Sequence, residues 1–436
     1  MAFSLIVAIL VSVGMIVSIL KFPRIKLGRL SFDAYWAISL AGAFLLLVSG
    51  KVNLKNLAAS LTESSPVNPI KILLLFLSMT LLSVFLDEVG FFRYLASKTL
   101  KLAKHSQVKL FVLLYVVVSI LTVFTSNDVV ILTFTPFLCY FAKHAGIREL
   151  PYLVAEFVAA NTMSMTLLIG NPTNIYIATT YHIGFGEYAG VMILPTLAGS
   201  IVAFLILFLI FRKDLRTPAA AVELDATITS KPELILGLVA LGTCTILLAV
   251  GPYFGLELWL ISLCSAVILF AAVAFLSALH KRKPTELKHA FLRAPWQLVP
   301  FVLSMFVIVQ ALSEAGVTDA LSSLFGSEQP ILRYGVSSFF ASNLINNIPM
   351  SVFFCPVLGP VASLGGTAAK GAVFSTIVGS NLGAYLTPVG ALAGILWMSL
   401  LKKQGVKFGY LDFVRYGAAV SIPTLVATLS VLSLVI

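Results

Sequence analysis

The chain has 436 residues, 59% of them hydrophobic and 11% charged, with a mean hydropathy of +1.02 and a formal net charge of +11. A soluble domain of this size carries about 25% charge, so the composition excludes an ordinary soluble enzyme and indicates a polytopic, all-α membrane protein. The basic residues are dispersed among loops between apolar runs, which excludes a nucleic-acid surface and leaves the lipid bilayer as the first partner.

In chain order, apolar spans are expected at 3–20, 34–50, 71–87, 152–181, 188–211, 234–251, 257–279, 296–312, 367–401 and 413–435. The first has no basic leader and no small-residue cleavage site, so it reads as a span and not as a signal peptide. Two segments, 108–143 and 331–358, are interrupted at their middles by Ser126-Asn127-Asp128 and Asn346-Asn347-Ile348-Pro349. Each half is short for a crossing of about 30 Å. A helical hairpin that enters and leaves on one side fits better, because irregular backbone at that depth must be enclosed by protein or face a water-filled cavity. Residues 91–106 carry Arg93, Lys98, Lys101 and Lys104 on one face and read as an amphipathic surface helix.

Treating both interrupted segments as re-entrant places every Lys and Arg on one side except Lys51, Lys55, Lys71, Arg333 and Lys370. The positive-inside rule then puts both termini outside, with the first hairpin opening from the cytoplasm and the second from outside; the expected location is a plasma membrane, a prokaryotic inner membrane foremost. Arg333 and Lys370 either attract an anion or anchor at the interface. The histidines at 105, 144, 182, 280 and 289 fall at loops, so they supply no proton relay. Cys139, Cys244, Cys264 and Cys355 lie in apolar segments without short spacing and read as small hydrophobes, with no metal set among them.

An internal repeat is expected on either side of a linker at 212–233, dividing the chain into 1–211 and 234–436. Glu88-Val89-Gly90 matches Glu314-Ala315-Gly316, and Asn127 with Pro136 matches Asn347 with Pro356. Gly170-Asn171 matches Gly379-Ser380, and Tyr188 with Pro195-Thr196 matches Tyr416 with Pro423-Thr424. Each half holds five spans, a hairpin and a helix broken within 152–181 or 367–401, so the halves have opposite orientation. Such repeats place solute and ion sites at their interface near the midplane.

The two hairpin tips and the two breaks, at Gly170-Asn171-Pro172-Thr173-Asn174 and Gly379-Ser380-Asn381-Leu382-Gly383, form the candidate site. Gly permits unwinding and Pro removes a donor, which frees backbone groups for a ligand. Each break taken singly also reads as a kink, a turn or a cap. As a set they nominate Ser126, Asn127, Asp128, Gly170, Asn171, Thr173, Asn174, Asn346, Asn347, Gly379, Ser380 and Asn381 for solute or ion. Asn161 and Ser164 are expected beside the same cavity. Asp128 is the acidic residue at the predicted centre and the candidate titrating group. Glu156 either joins a proton path or snorkels to the cytoplasmic face. No organic cofactor is implied, and the coupling ion is H⁺ or Na⁺. No His-Glu cluster, Ser-Lys dyad or paired aspartates at depth suggests an enzyme.

The strings SNDVVILTFTPF, NTMSMTLLIGNPTNIYIATTYHIGFGEYA, NNIPMSVFF and GSNLGAYLTPVGALAGILWMSLLKKQG resemble the arsenite/antimonite efflux permease branch of the ion transporter superfamily. The resemblance covers most of the chain in order. It implies an elevator-type secondary transporter of a small inorganic solute, proton-coupled or assisted by an ATPase subunit, and often a homodimer. Where metalloid exporters carry Cys-Asp before Leu-Gly, this chain has Ser380-Asn381, and where they carry Asp in the fifth span it has Asn161. A carboxylate, another oxyanion, Na⁺/H⁺ exchange or a channel remain as other functions of the same residues.

Overall fold

The computed structural model describes residues 1–22, 24–27, 30–62, 68–104, 106–218 and 227–436. Arg29, His105 and linker positions 219–226, which enter the expectations above, lie outside the described residues.

The first half opens with α1 (Ala2–Lys21) and α2 (Ala34–Val48), joined by an antiparallel ribbon of β1 (Arg24–Leu27) and β2 (Leu30–Asp33). It continues with α3 (Leu54–Thr62), α4 (Pro69–Glu88) and α5 (Phe91–Ala103). The hairpin follows as α6 (Gln107–Phe124) and α7 (Asn127–Ala145), then α8 (Leu150–Met163), α9 (Pro172–Thr180) and α10 (Phe185–Phe211). The second half runs α11 (Lys231–Val250), α12 (Leu258–Leu279), α13 (Thr285–Arg293), α14 (Leu298–Glu314) and α15 (Val317–Phe325). It ends with α16 (Pro330–Ile345), α17 (Asn347–Ser363), α18 (Gly366–Gly383), α19 (Leu392–Lys403) and α20 (Tyr410–Val435). Seven helices among the described residues have the length and hydropathy to cross a membrane. Hydropathy alone did not indicate the ribbon, α3, α13 or α15.

Local chemistry explains the boundaries. Asn68 caps α4 by accepting from the backbone N–H groups of Ile70 and Lys71, and Pro69 occupies the position where a missing N–H costs nothing. Gly90 and Gly316 adopt φ of 91° and 75°, so α4 and α14 each turn through a glycine into a short helix, α5 or α15. Phe92, Ala96, Leu100 and Ala103 recur one helical turn apart and are buried, while Arg93 and Lys98 are exposed, so α5 has the expected amphipathic character.

The packing is reciprocal between the halves. Helix α1 packs on α2 as α11 packs on α12; α2 packs on α14 as α12 packs on α4; α7 packs on α19 as α17 packs on α9. Helices α1, α2, α4, α11, α12 and α14 pack mainly among themselves, while α6–α10 and α16–α20 pack around the interrupted helices. A seam between these groups runs along α4 and α14 against α9 and α17. The tightest contact joins α16 to α18. A β-carbon on Gly379 would fall 2.1 Å from Ser338 Oγ, and one on Gly383 would fall 2.1 Å from Ser342 Oγ. Helices in lipid gain little from hydrophobic burial against each other, so this close approach of small residues supplies the association.

One expected break lies elsewhere. Gly379, Ser380 and Asn381 belong to the continuous helix α18, and the chain unwinds only over residues 384–391. Gly379 permits helix contact there and not unwinding. The match of Gly170-Asn171 to Gly379-Ser380 was out of register: one spacing relates Asn127 to Asn347, Asn161 to Asn381, and the starts of α9 and α19.

Candidate functional site

Helix α8 stops at Met163, and residues 164–171 form an irregular segment before α9. A β-carbon on Gly170 would lie 2.2 Å from the Ser164 carbonyl oxygen, so only glycine closes this turn. Asn171 then caps α9, accepting from the Thr173 N–H at 3.2 Å. Its Nδ2 donates to Oδ1 of Asn381 at 3.0 Å, where the Ser164 hydroxyl also lies at 3.0 Å. Asn381 in turn donates through Nδ2 to Oδ1 of Asn174 at 2.7 Å and to the Ile377 carbonyl at 2.9 Å. Asn174 donates to the carbonyls of Ser164 and Leu167 at 2.8 and 3.2 Å. The hub formed by Ser164, Asn171, Asn174 and Asn381 is buried, uncharged and largely satisfied.

The hairpin tips dock on the interrupted helices of their own halves. Asn127, the first residue of α7, donates through Nδ2 to Oδ1 of Asn161 on α8 at 3.1 Å. Asn346 adopts φ of 71° with ψ of 151°, a strained conformation that side chains rarely occupy, and its Nδ2 donates to the Val389 carbonyl at 3.0 Å. The Asn347 N–H donates to the Gly390 carbonyl at 2.9 Å. Asn343, absent from the expected set, holds the second break by accepting from Thr387 through its N–H at 3.0 Å and its hydroxyl at 2.8 Å. Thr162 donates to the Tyr385 hydroxyl at 3.2 Å, a further link between the halves.

The nominated residues therefore fall into groups. Asn127, Asn171, Thr173, Asn174 and Asn381 converge at the centre, with Asn346 and Asn347 at the second break. Ser126 and Ser380 are buried there with hydroxyls that make no hydrogen bond among the described residues. Gly170 shapes the backbone, whereas Gly379 sits in the α16–α18 contact. Glu156 does not snorkel: it is 0% exposed and accepts from the Thr135 hydroxyl, whose oxygen lies 3.1 Å from both carboxylate oxygens. Asp128 stands apart from the hub. It is half-buried in the first turn of α7, where Ser126 occupies the cap position.

Asp128 borders a cavity of about 250 Å³ at the seam, shared with Tyr35, Gln297, Leu298, Leu392 and Lys403. Arg24 and Asp33 also line it and pair with each other at 3.5 Å. A second cavity of about 370 Å³ lies between the start of α4, the start of α12 and the end of α9, and includes Lys71, His182, Glu257 and Trp259. Ion pairs lie at both ends of the molecule: Arg148 pairs with Asp214 and Arg293 with Asp87 and Glu88 at one, Lys71 with Glu257 and Lys370 with Glu187 at the other. The first cavity lies at the basic end of the molecule and the second at the opposite end.

A helical membrane protein with two interrupted helices meeting in a buried polar hub, and with cavities at both ends of one seam, is a membrane transporter. The chain belongs to the citrate transporter family, which it matches over residues 4–368. It is 28% identical over 428 residues to an arsenical pump membrane protein of Escherichia coli, covering 92% of this chain and 93% of that protein. It is 24% identical over 408 residues to a putative arsenical pump membrane protein of Bacillus subtilis (strain 168), covering 86% and 88%. These relatives bear out the resemblance to the arsenite/antimonite permease branch. The fold is similar to that of the Alcanivorax borkumensis YdaH transporter, whose crystal structure reveals an unusual topology. The TM-score is 0.58 at 14% identity, covering 99% of this chain and 97% of that one.

Proposed function

We propose that the chain is a proton-coupled secondary transporter that exports a small inorganic solute, with arsenite and antimonite as the first candidates. In this reading the helices around the hub slide as an elevator against the α2, α4, α12 and α14 scaffold, and the two halves act as inverted repeats. The position of Asp128 carries the proposal. It is a carboxyl group on a re-entrant tip, bordering a cavity at the basic, cytoplasmic end, where it can exchange a proton without entering the solute hub.

The hub suits an uncharged, hydroxyl-bearing solute if its internal hydrogen bonds are exchanged for bonds to that solute. Carboxamides and hydroxyls both donate and accept, so they can replace the hydration of such a solute without a counter-charge. The hub lacks a thiol: Cys355 lies on α17, where its Sγ faces the Thr180 hydroxyl at 3.6 Å. Binding would therefore rest on hydrogen bonds. The relatives' name as arsenical pumps supports the choice of solute.

A carboxylate is the second reading, favoured by the family's name. Its charge would meet carboxamides, offset only by the partial positive charge at helix starts such as that of α9.

Reconstitution into proteoliposomes with an imposed pH gradient tests the proposal. Arsenite flux should follow the gradient and collapse with a protonophore. Asp128→Asn should abolish the gradient dependence. Gradient-driven citrate flux without arsenite flux would overturn the choice of solute, and an Asp128→Asn variant with full coupling would overturn the proton site.

A further inference from the structure

Tyr35 is the second residue of α2, on the scaffold side of the seam. Its side chain is 6% exposed, and its ring is held edge-on against Phe301 at 5.0 Å between centroids and 88° between planes. Despite that burial, its hydroxyl makes no hydrogen bond among the described residues. A buried phenol normally finds a partner, and leaving it without one is costly. The hydroxyl belongs to the residue that lines the Asp128 cavity from the scaffold. The two residues thus face one cavity across the seam from different bodies, one on the scaffold and one on the hairpin tip.

The opposite cavity lacks this arrangement. There Trp259, likewise the second residue of its helix, spends its Nε1–H on the Glu257 carboxylate at 2.7 Å. The tip residue matching Asp128 is Ile348, which has nothing to titrate.

We propose that Tyr35 is a positioning residue for proton release: its hydroxyl donates to ionised Asp128 when the hairpin tip faces the cytoplasmic cavity, and loses that partner when the tip moves away. The inference rests on the reading of Asp128 as the coupling group. A phenol donating to a carboxylate makes a charge-assisted bond, stronger than the bond it makes to the protonated acid. The pairing therefore favours deprotonation on the cytoplasmic side only, while the gradients set the direction of net transport. The other charges around the tip leave Tyr35 this role. Arg24 and Asp33 neutralise each other, Lys403 comes from α19, and Glu156 on α8 is turned onto Thr135. The ionisable groups of α4, α5 and α6, which also pack against α7, do not line the cavity.

The test compares wild type, Tyr35→Phe and Asp128→Asn. Phenylalanine keeps the ring and its contact with Phe301. Arsenite flux in oriented proteoliposomes is measured against pH on one side, with the other side held constant. Tyr35→Phe should move the midpoint of the cytoplasmic-side profile up by about one pH unit, a tenfold loss in proton release, and leave the external-side profile in place. Difference infrared spectroscopy follows the Asp128 carboxyl band, identified by its loss in Asp128→Asn, whether or not arsenite is the cargo. Its midpoint should rise in Tyr35→Phe by the same amount. Superimposable profiles and band midpoints in wild type and Tyr35→Phe, or equal shifts on both sides, would overturn the role of Tyr35. Absence of any pH-dependent Asp128 band in wild type would instead overturn the coupling reading on which it rests.

Discussion

Asn381 donates its Nδ2 to Oδ1 of Asn174 at 2.7 Å, so two residues 207 positions apart tie the halves together at the centre of the protein. Asn174 cannot readily rotate to suit a new partner, because its own Nδ2 is committed to two carbonyls. Replacing Asn381 with Asp sets one acceptor against another unless the new carboxyl carries a proton. Asn381→Asp should therefore be more stable and more active at acidic than at neutral pH. Asn381→Ala leaves Asn171, Asn174 and Ser164 short of a buried partner, at roughly 1–3 kcal/mol for each group left unpaired. Thermal unfolding in detergent across a pH series reads both effects, and a flat pH response for the Asp variant would contradict this account.

Gly379 and Gly383 set the distance between α18 and α16. Added β-carbons would meet Ser338 Oγ and the Gly335 carbonyl at 2.1 and 2.3 Å, and Ser342 Oγ and the Phe339 carbonyl at 2.1 and 2.5 Å. Backbone atoms cannot swing aside, so Gly379→Ala and Gly383→Ala should each destabilise by about 1–3 kcal/mol. Gly242 on α11 has no neighbour within 4 Å of such an atom. Gly242→Ala is the matched control and should unfold at or above the wild-type temperature, since alanine favours the helix.

Glu156 and Thr135 distinguish a structural carboxyl from a coupling one. Glu156 is enclosed between α7 and α8, and its hydrogen bond comes from the Thr135 hydroxyl. Glutamine keeps the shape and an oxygen acceptor, so Glu156→Gln should retain gradient-driven flux within about twofold, whereas Asp128→Asn loses it. Glu156→Ala opens a void and orphans the hydroxyl, at about 2–4 kcal/mol. Flux and unfolding temperature, measured on the same preparations, separate the two residues.

At the opposite end, a hydrogen bond from Lys71, with a second from Trp259, holds the Glu257 carboxyl below its ordinary value of 4.5. A carboxyl whose folded-state value is lowered contributes stability that is fully present above the ordinary value. That contribution is lost as pH falls through the lowered one. Acidifying the solution at that end below pH 4.5 should therefore release Trp259 and shift its fluorescence, and Glu257→Gln should abolish that transition. An acid-induced change that persists in Glu257→Gln would assign it to another group.

Much of the site is legible in the sequence. Asp128, Asn171 and Asn346 stand out because a polar residue in a long apolar run carries a cost in lipid that an idle position would not sustain. The glycine corners at Gly90 and Gly316 and the matched hairpin prolines are visible for a similar local reason. Gly379 misleads because glycine has two uses in a membrane helix, unwinding and close contact. Only the presence of Ser338 and Gly335 on a distant helix distinguishes them. The amphipathic α5 is evident from its basic residues, while the short α15 has no basic residue to mark it.

What the sequence determined by itself was which segments are apolar enough to enter the bilayer, that some of them are interrupted and which end is basic, because hydropathy and charge act on each segment independently. Tertiary structure alone decided that Asn381 meets Asn171 and Asn174, that Glu156 is turned onto Thr135, and that Tyr35 shares a cavity with Asp128. Those partners lie on helices distant in sequence, and a hydrogen bond of about 3 Å depends on packed backbones and fixed rotamers, which no local pattern encodes.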